Sequence, residues 1–215
     1  MTHPLVSVIT PTANRPEMLE RCIAMFLAQD YENKEHTIIS DDGIFREHKY
    51  GTVRGAEQYN NIGQKRNAAC SMTPASIILH MDDDDLYAPD WITRSVTALQ
   101  TSGADIVGLH NSYFYDTRKQ QGYEWIPKPH EQTYLLGATL CYWRHVWERK
   151  PFPDTSHGED SAFISNNGRL FAHGYKEGFI ATVHGGNTEC HKALPLLTKI
   201  NFTHPLLSLI QASGQ

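Results

Sequence analysis

No apolar run in this 215-residue chain approaches bilayer length. The stretch around Ile77-Ile78-Leu79 falls far short of the roughly 18 residues a transmembrane helix needs, so no integral membrane segment is expected. Met1 to Thr10 has neither a basic start nor small residues of the cleavage type, so no secretory signal is expected. There is no C-x-x-C pair: Cys22, Cys70, Cys141 and Cys190 stand far apart. That pattern argues against a zinc ribbon or a disulfide scaffold and for buried free thiols in a cytoplasmic protein. Basic charge is not in excess, with 19 Lys+Arg against 24 Asp+Glu and a net charge of −5, so nucleic acid is not an expected partner. Internal repeats, low-complexity segments and a linker are also missing. With 40% apolar and 20% charged residues, the composition suits one folded domain over 1–215.

The N-terminal half alternates strand and helix. Leu5 to Thr10 is β-branched, bounded by Pro11, and reads as a buried strand. Asn14-Arg15-Pro16-Glu17 opens a helix, with Asn14 as its cap, Pro16 in the first turn and Glu17 three residues on. Leu19, Cys22, Ile23 and Phe26 form its apolar stripe. Thr37–Ser40 is a second strand and 44–60 reads as a loop. Asn61 to Ser71 is a helix bearing Lys65 and Arg66, and Ser76 to Met81 a third strand. Pro89 starts a helix with Ile92, Val96 and Leu99 on one face, and Asp105 to Leu109 is a further strand. Such alternation predicts an α/β fold with a mostly parallel sheet and helices on both faces. Ligands of such sheets gather beyond the carboxyl ends of the strands. Here those ends carry Pro11-Thr12, Asp41-Asp42 and Asp82 to Asp85, which would share one rim.

Beyond residue 111 the pattern changes. Ser112–Tyr115 and Thr139–Tyr142 alternate and suggest antiparallel or mixed strands. Helices are expected at Arg144–Glu148 and Glu159–Phe171, and a last strand at Lys176–Val183. The apolar tail from Leu194 to Ile210 offers a surface for a second subunit. The chain thus divides into 1–110, 111–190 and a tail, 191–215.

Four consecutive aspartates at a strand end repel one another unless water or a cation screens them. Carboxylate oxygens suit magnesium, manganese or calcium. A calcium-hand loop fits poorly, since no glycine sits at its middle and no glutamate closes it. One or two carboxylates with positions left for phosphate oxygens fit better. Strand alternation would send Asp82 and Asp84 one way and Asp83 and Asp85 the other, so not all four are expected to be ligands.

Five stretches, in order, resemble family 2 glycosyltransferases of the GT-A fold. They are Val6 to Pro16, Ser40-Asp41-Asp42-Gly43, Gly63 to Ala69 with Lys65-Arg66-Asn67, His80 to Asp90 with its D-x-D and downstream Pro89, and Gly158-Glu159-Asp160. The resemblance implies a three-layer GT-A sandwich with a mixed, mostly parallel sheet. It implies a donor that is a nucleoside-diphosphate sugar, expected to be UDP-linked, and an acceptor hydroxyl. Pro11, Thr12, Asn14 and Arg15 would lie at base and ribose, and Asp42 would accept from a uracil-type imide N–H. Arg66 would lie near diphosphate or base, and Asp82 or Asp83 near the ribose. Asp84 would hold Mn2+ or Mg2+, with His184 as a second ligand. Asp160 would be the general base of an inverting displacement, at a helix start that favours its ionised form; Glu159 would orient the acceptor or be structural.

The chain departs from the family's pattern after Asp42, where Ile44-Phe45-Arg46-Glu47-His48 replaces a Ser-Thr-Asp run. It carries no Gln-x-x-Arg-Trp motif of processive synthases, so single addition is expected. Trp91, Trp125, Trp143 and Trp147 read as core packing before an acceptor platform. Two other classes compete: a nucleotide-sugar binder without transfer, and a metal-dependent phosphohydrolase or nucleotidyltransferase. The second lacks both the glycine-rich loop and the Asp-x-Asp-x-Thr/Val pattern, since Leu86 stands at the last position.

Overall fold

A central eight-stranded sheet carries helices on both faces, and a five-stranded sheet packs beside it. The structure, a computed structural model, describes residues 3–41, 46–48, 51–55, 59–127, 134–187 and 197–211. The strands are β1 (Val6–Thr12), β2 (Lys34–Ser40), β3 (Arg46–His48), β4 (Gly51–Gly55), β5 (Ile77–His80), β6 (Leu86–Tyr87), β7 (Ile106–Gly108), β8 (Ser112–Asp116), β9 (Gln121–Trp125), β10 (Cys141–Trp143), β11 (Leu170–Ala172), β12 (Phe179–Val183) and β13 (Thr198–Ile200). The helices are α1 (Pro16–Leu27), α2 (Ile62–Ser71), α3 (Trp91–Ser102), α4 (Arg144–Arg149), α5 (Glu159–Asn166) and α6 (Ser208–Gln211).

The large sheet runs β11-β7-β10-β5-β1-β2-β4-β3, and the small one β13-β9-β8-β12-β6. In the large sheet β5, β1, β2 and β4 are mutually parallel, while β10 runs antiparallel between β5 and β7. It is mixed and mostly parallel, as the sequence pattern implies. Because β1, β2 and β5 are parallel, their ends at Thr12, Ser40 and His80 lie along one rim.

Side-chain alternation divides the core in two. Val6, Val8, Ile77 and Leu79 face α1 and α3 and meet Phe26, Trp91 and Val96. Ile9, Ile39 and Ile78 face the other way and meet Cys70 of α2, Val146 of α4 and Phe163 of α5. This is the three-layer arrangement. Trp91 is completely buried, and burying a side chain of that kind contributes about 3 kcal/mol.

Several elements differ from the sequence reading. β1 continues through Pro11 to Thr12. The β5 ladder ends at Ile9 and His80, so Pro11 pairs only with β2 and its missing N–H costs no bond to β5. Arg15, not Asn14, caps α1, and no side chain bonds the helix end; Asn14 takes a φ of 53° in the turn before it. The 44–60 segment contains β3 and β4, which extend the sheet edge. α5 stops at Asn166 because Gly168 takes a φ of 99°, and Leu170–Ala172 then forms β11 beside β7. The strand expected over Lys176–Val183 begins at Phe179, after a 3-10 turn over Lys176–Gly178, and it is not the last, since β13 follows at Thr198–Ile200. Leu197, Leu206, Leu207, Leu209 and Ile210 of the tail pack on the chain's own core, so these apolar residues are largely used within one subunit. Cys22, Cys70 and Cys141 are buried free thiols. Cys190 and Asp42 lie outside the described residues.

Candidate active site

The acidic run is a turn joining β5 to β6, with Asp85 N–H donating to Asp82 O at 3.4 Å. A turn cancels the expected strand alternation, so neighbouring Asp83 and Asp84 share one partner. Arg15 reaches both, with 2.8 Å to each carboxylate. Asp83 is wholly buried and also accepts from Thr12 Oγ1 at 2.6 Å. Thr12 therefore stands behind Asp83. Asp84 Oδ2 lies 3.1 Å from His184 Nε2 and accepts from Asn187 Nδ2 at 3.2 Å. The Asp84 carbonyl accepts from Arg21 at 3.0 Å and from the Thr182 hydroxyl. Asp85 turns inward and accepts from Thr182 N–H at 2.9 Å. Asp82 lies 3.5 Å from Arg66, and its N–H donates to the Tyr87 hydroxyl at 2.9 Å.

Negative charge outruns positive charge here. Burial, then repulsion from Asp84, raises Asp83 to about 6. Burial and the neighbouring aspartates push Asp85 well above the usual carboxylate range. Burial also raises Asp82, against the pull of Arg66. Only Asp84 goes the other way: burial resists its charge, but the His184 hydrogen bond and Arg15 outweigh it. Buried Asp82 Oδ1 has no hydrogen-bond partner. A buried excess of carboxylate charge is costly unless a cation meets it.

The second acidic group starts α5. Gly158, at the N-cap, has a φ of 69°, a region glycine enters without strain. Glu159 is buried and paired with Arg66. Burial raises its pKa and the guanidinium opposes that. Asp160 Oδ1 accepts from Ser161 N–H at 2.6 Å. A Cβ built on Gly137 would lie 2.2 Å from Asp160 Oδ2, so the carboxylate fills the space a side chain at 137 would need. Arg66 is itself buried, set between Glu159 and Asp82 with its guanidinium over the Phe152 ring.

These groups open into one cleft of about 870 Å³. Its polar lining includes Pro11, Arg15, Arg66, Asp82 to Asp85, Glu159, Asp160 and Asn187. Its apolar lining includes Phe114, Trp125, Tyr134, Leu136 and Leu197. Thr12, Asn14 and His184 are not among the lining residues; Thr12 and His184 act on it through Asp83 and Asp84. Of the four tryptophans only Trp125 lines the cleft: Trp91 is core, Trp143 packs on both clusters, and Trp147 donates to Asn67 Oδ1 at 2.9 Å.

Sequence reasoning missed several site residues. Lys65 donates to Thr12 O at 2.9 Å and pairs with Asp41, tying two strand ends together. Its place beside Arg66 on a helix facing the rim was the available signal. Asn187 follows His184-Gly185-Gly186, a segment whose glycines mark a loop. Gly137 has no sequence signal, since its role is to leave space.

A family model described as "Glycosyl transferase family 2" matches residues 7–152, more than half of the chain. The chain belongs to glycosyl transferase family 2. An N-acetylglucosaminyltransferase of Bradyrhizobium elkanii is 30% identical over 110 residues, covering 45% of this family 2 chain and 60% of that protein. Glycosyltransferase AglE of Haloferax volcanii is 26% identical over 130 residues, covering 53% and 41%. Both matches span less than two thirds of the relative's own length. Among solved structures, S. aureus TarS in complex with UDP-GlcNAc superposes with a TM-score of 0.68 at 17% identity, covering 85% of this chain and 60% of that one. Mannosyltransferase PcManGT of Pyrobaculum calidifontis, in complex with GDP-Man and Mn2+, gives 0.66 at 15% identity, covering 99% and 70%. The fold is GT-A. Among the described residues no helix is long and apolar enough to cross a membrane.

The donor set suits a divalent ion that shares its ligands with a diphosphate. Among the described residues no three His, Cys, Asp or Glu side chains gather to hold a metal alone. Asp84 and His184 could supply two of its ligands, since they lie 3.1 Å apart and a carboxylate and an imidazole both suit manganese. Gly186 N–H donates to His184 Nδ1 at 3.0 Å, which places the ring proton on Nε2, toward Asp84. Ligation through Nε2 therefore requires the other tautomer and a shift of Gly186. Asp84 needs no such change.

Proposed function

We propose that the chain is a metal-dependent, inverting glycosyltransferase that moves a sugar from a nucleoside-diphosphate donor, UDP-linked, to an acceptor hydroxyl. The observation that carries this reading is the single cleft into which Asp84 and Asp160 both open. The cleft gathers groups suited to a cation and a diphosphate, and the Asp160 carboxylate and an apolar wall line the same space.

In this reading the donor lies across the rim formed by β1, β2 and β5. Pro11 and Arg15 line the base and ribose side, Thr12 acts there through Asp83 and Asn14 sits in the turn before Arg15, with Asp42 accepting from the base and Asp82 or Asp83 from the ribose. Arg15 and Arg66 bring positive charge toward the diphosphate. Asp84, with His184, would hold Mn2+ or Mg2+; when bound, the ion supplies a charge that neutralises the leaving nucleoside diphosphate. Asp160 takes the proton of the acceptor hydroxyl as that oxygen bonds to the anomeric carbon. The bond from that carbon to the diphosphate breaks on the opposite side, which inverts the centre. Glu159 holds Arg66 in place beside it. Trp125 and Tyr134, with ring centroids 5.5 Å apart, wall the acceptor end. The buried thiols Cys22, Cys70 and Cys141 support a cytoplasmic setting.

The UDP donor is supported by the resemblance to TarS, which binds UDP-GlcNAc; PcManGT binds GDP-Man. A thermal-shift screen of UDP, GDP, CDP and their sugars, with and without MnCl2, tests donor and metal together. UDP is expected to raise Tm, and more so with Mn2+. No shift with any nucleotide would refute the reading, and a shift with GDP alone would replace the donor.

A further inference from the structure

Beneath the turn that meets Asp160 runs a buried polar chain that the steps above do not use. His80, the last residue of β5, is completely buried. Its Nδ1 lies 2.8 Å from Gly137 O. A carbonyl only accepts, so Nδ1 carries the ring proton. Nε2 is then an acceptor, and the Tyr142 hydroxyl, 3.2 Å away, donates to it. Tyr142 in turn accepts from Cys70 Sγ–H at 3.4 Å. The Gly137 carbonyl thus sets the direction of three successive hydrogen bonds. Burial, with Arg66 nearby, holds the imidazole well below its usual pKa, which keeps it neutral, while the Gly137 carbonyl selects the tautomer.

The 3-10 turn over Gly137–Thr139 is fastened at further points. His80 N–H donates to Leu140 O at 2.8 Å. The Tyr87 hydroxyl donates to Ala138 O at 3.0 Å. Thr139 Oγ1 accepts from Leu109 N–H at 2.9 Å and donates to Leu136 O at 2.7 Å. Asp160 Oδ2 rests against this same turn, in the space a Cβ on Gly137 would fill.

We infer that His80 is a positioning residue for Asp160: through the Gly137 carbonyl it fixes the turn against which the base stands. Glycine at 137 is the second half of the device, since any side chain there would displace the carboxylate. The inference rests on the assignment of Asp160 as the base. Misplacing a catalytic group by about 1 Å costs on the order of a hundredfold in rate, so a support of this kind acts on turnover rather than on donor binding.

The test measures UDP release from UDP-GlcNAc, or GDP release from GDP-mannose, with Mn2+ present, and nucleotide affinity by calorimetry. His80→Leu is expected to lower kcat about tenfold or more, with nucleotide diphosphate affinity within about twofold. His80→Asn places an amide N–H near the position of Nδ1 and is expected to recover most of the loss. In an Asp160→Asn background His80→Leu is expected to cause no further loss. Wild-type kcat in His80→Leu, or His80→Asn as impaired as His80→Leu, would overturn the inference. If Asp160→Asn alone keeps full turnover, the base assignment fails on its own account. A His80 effect that persists in the Asp160→Asn background shows instead that His80 does not work through Asp160. Should His80→Leu not fold, Gly137→Ala carries the test: a kcat loss of about tenfold with affinity intact supports the inference, and wild-type kcat overturns it.

Discussion

Asp84 and His184 stand one hundred residues apart in the chain and 3.1 Å apart in the fold. The acidic turn after β5 and the loop after β12 meet because β12 pairs with β6, the strand that follows the aspartates. That pairing turns two separate sequence features into one arrangement of oxygen and nitrogen donors.

Removing these donors is expected to weaken Mn2+ binding unequally. Asp84→Asn should abolish binding measured by electron paramagnetic resonance in the presence of UDP. His184→Ala should weaken it by about tenfold, since its ring must change tautomer to ligate. Equal affinity in wild type and Asp84→Asn would contradict the assignment.

Arg66 is expected to matter for stability as well as for the donor. It is the partner of Glu159 and lies beside Asp82, and all three sit against the cleft. Burial opposes its charge, but Asp82 and Glu159 outweigh that and raise its pKa. Arg66→Leu leaves both carboxylates uncompensated and should cost about 3–5 kcal/mol in urea unfolding. A change below about 1 kcal/mol would show that water or a rearrangement already satisfies them.

Acid should destabilise the fold through buried imidazoles. Burial, then the charge of His110, lowers His173 to about 4, and it packs against Trp91 with ring centroids 5.5 Å apart. The unfolded chain gains this proton near pH 6.5 and the folded chain only near pH 4. Stability is therefore complete above about pH 6.5 and falls between those values, by about 3 kcal/mol for this one group. His80, lowered well below its usual value by burial, adds to the slope in the same direction. His173→Gln should flatten the fall in unfolding free energy from pH 6.5 to 4, and an unchanged slope would show that the ring is already protonated in the fold.

Much of this fold was legible in the sequence where pattern and burial agree. α1 and α3 follow apolar periodicities, and β1 and β5 are continuous buried runs, which the packing simply satisfies. The helix expected over Glu159–Phe171 overruns into β11 because Leu170 and Phe171 continue its apolar residues, and only the positive φ at Gly168 reveals the break. β3 and β4 are short and polar and gain their form from pairing at the sheet edge, so their sequence reads as a loop. At the site, the residue types of the acidic run were informative but their directions were not, since a turn replaced the expected strand. Gly137 was beyond reach, because its contribution is a volume left empty for a side chain distant in sequence.

The measurement closest to the central claim is turnover by Asp160→Asn. The substitution keeps shape and removes the base, so transfer or donor hydrolysis should fall by about 10²–10⁴-fold. Nucleotide affinity measured by calorimetry with Mn2+ should stay within about twofold. Turnover equal to wild type would contradict the account, because the cleft would then be doing its chemistry without the carboxylate assigned to it.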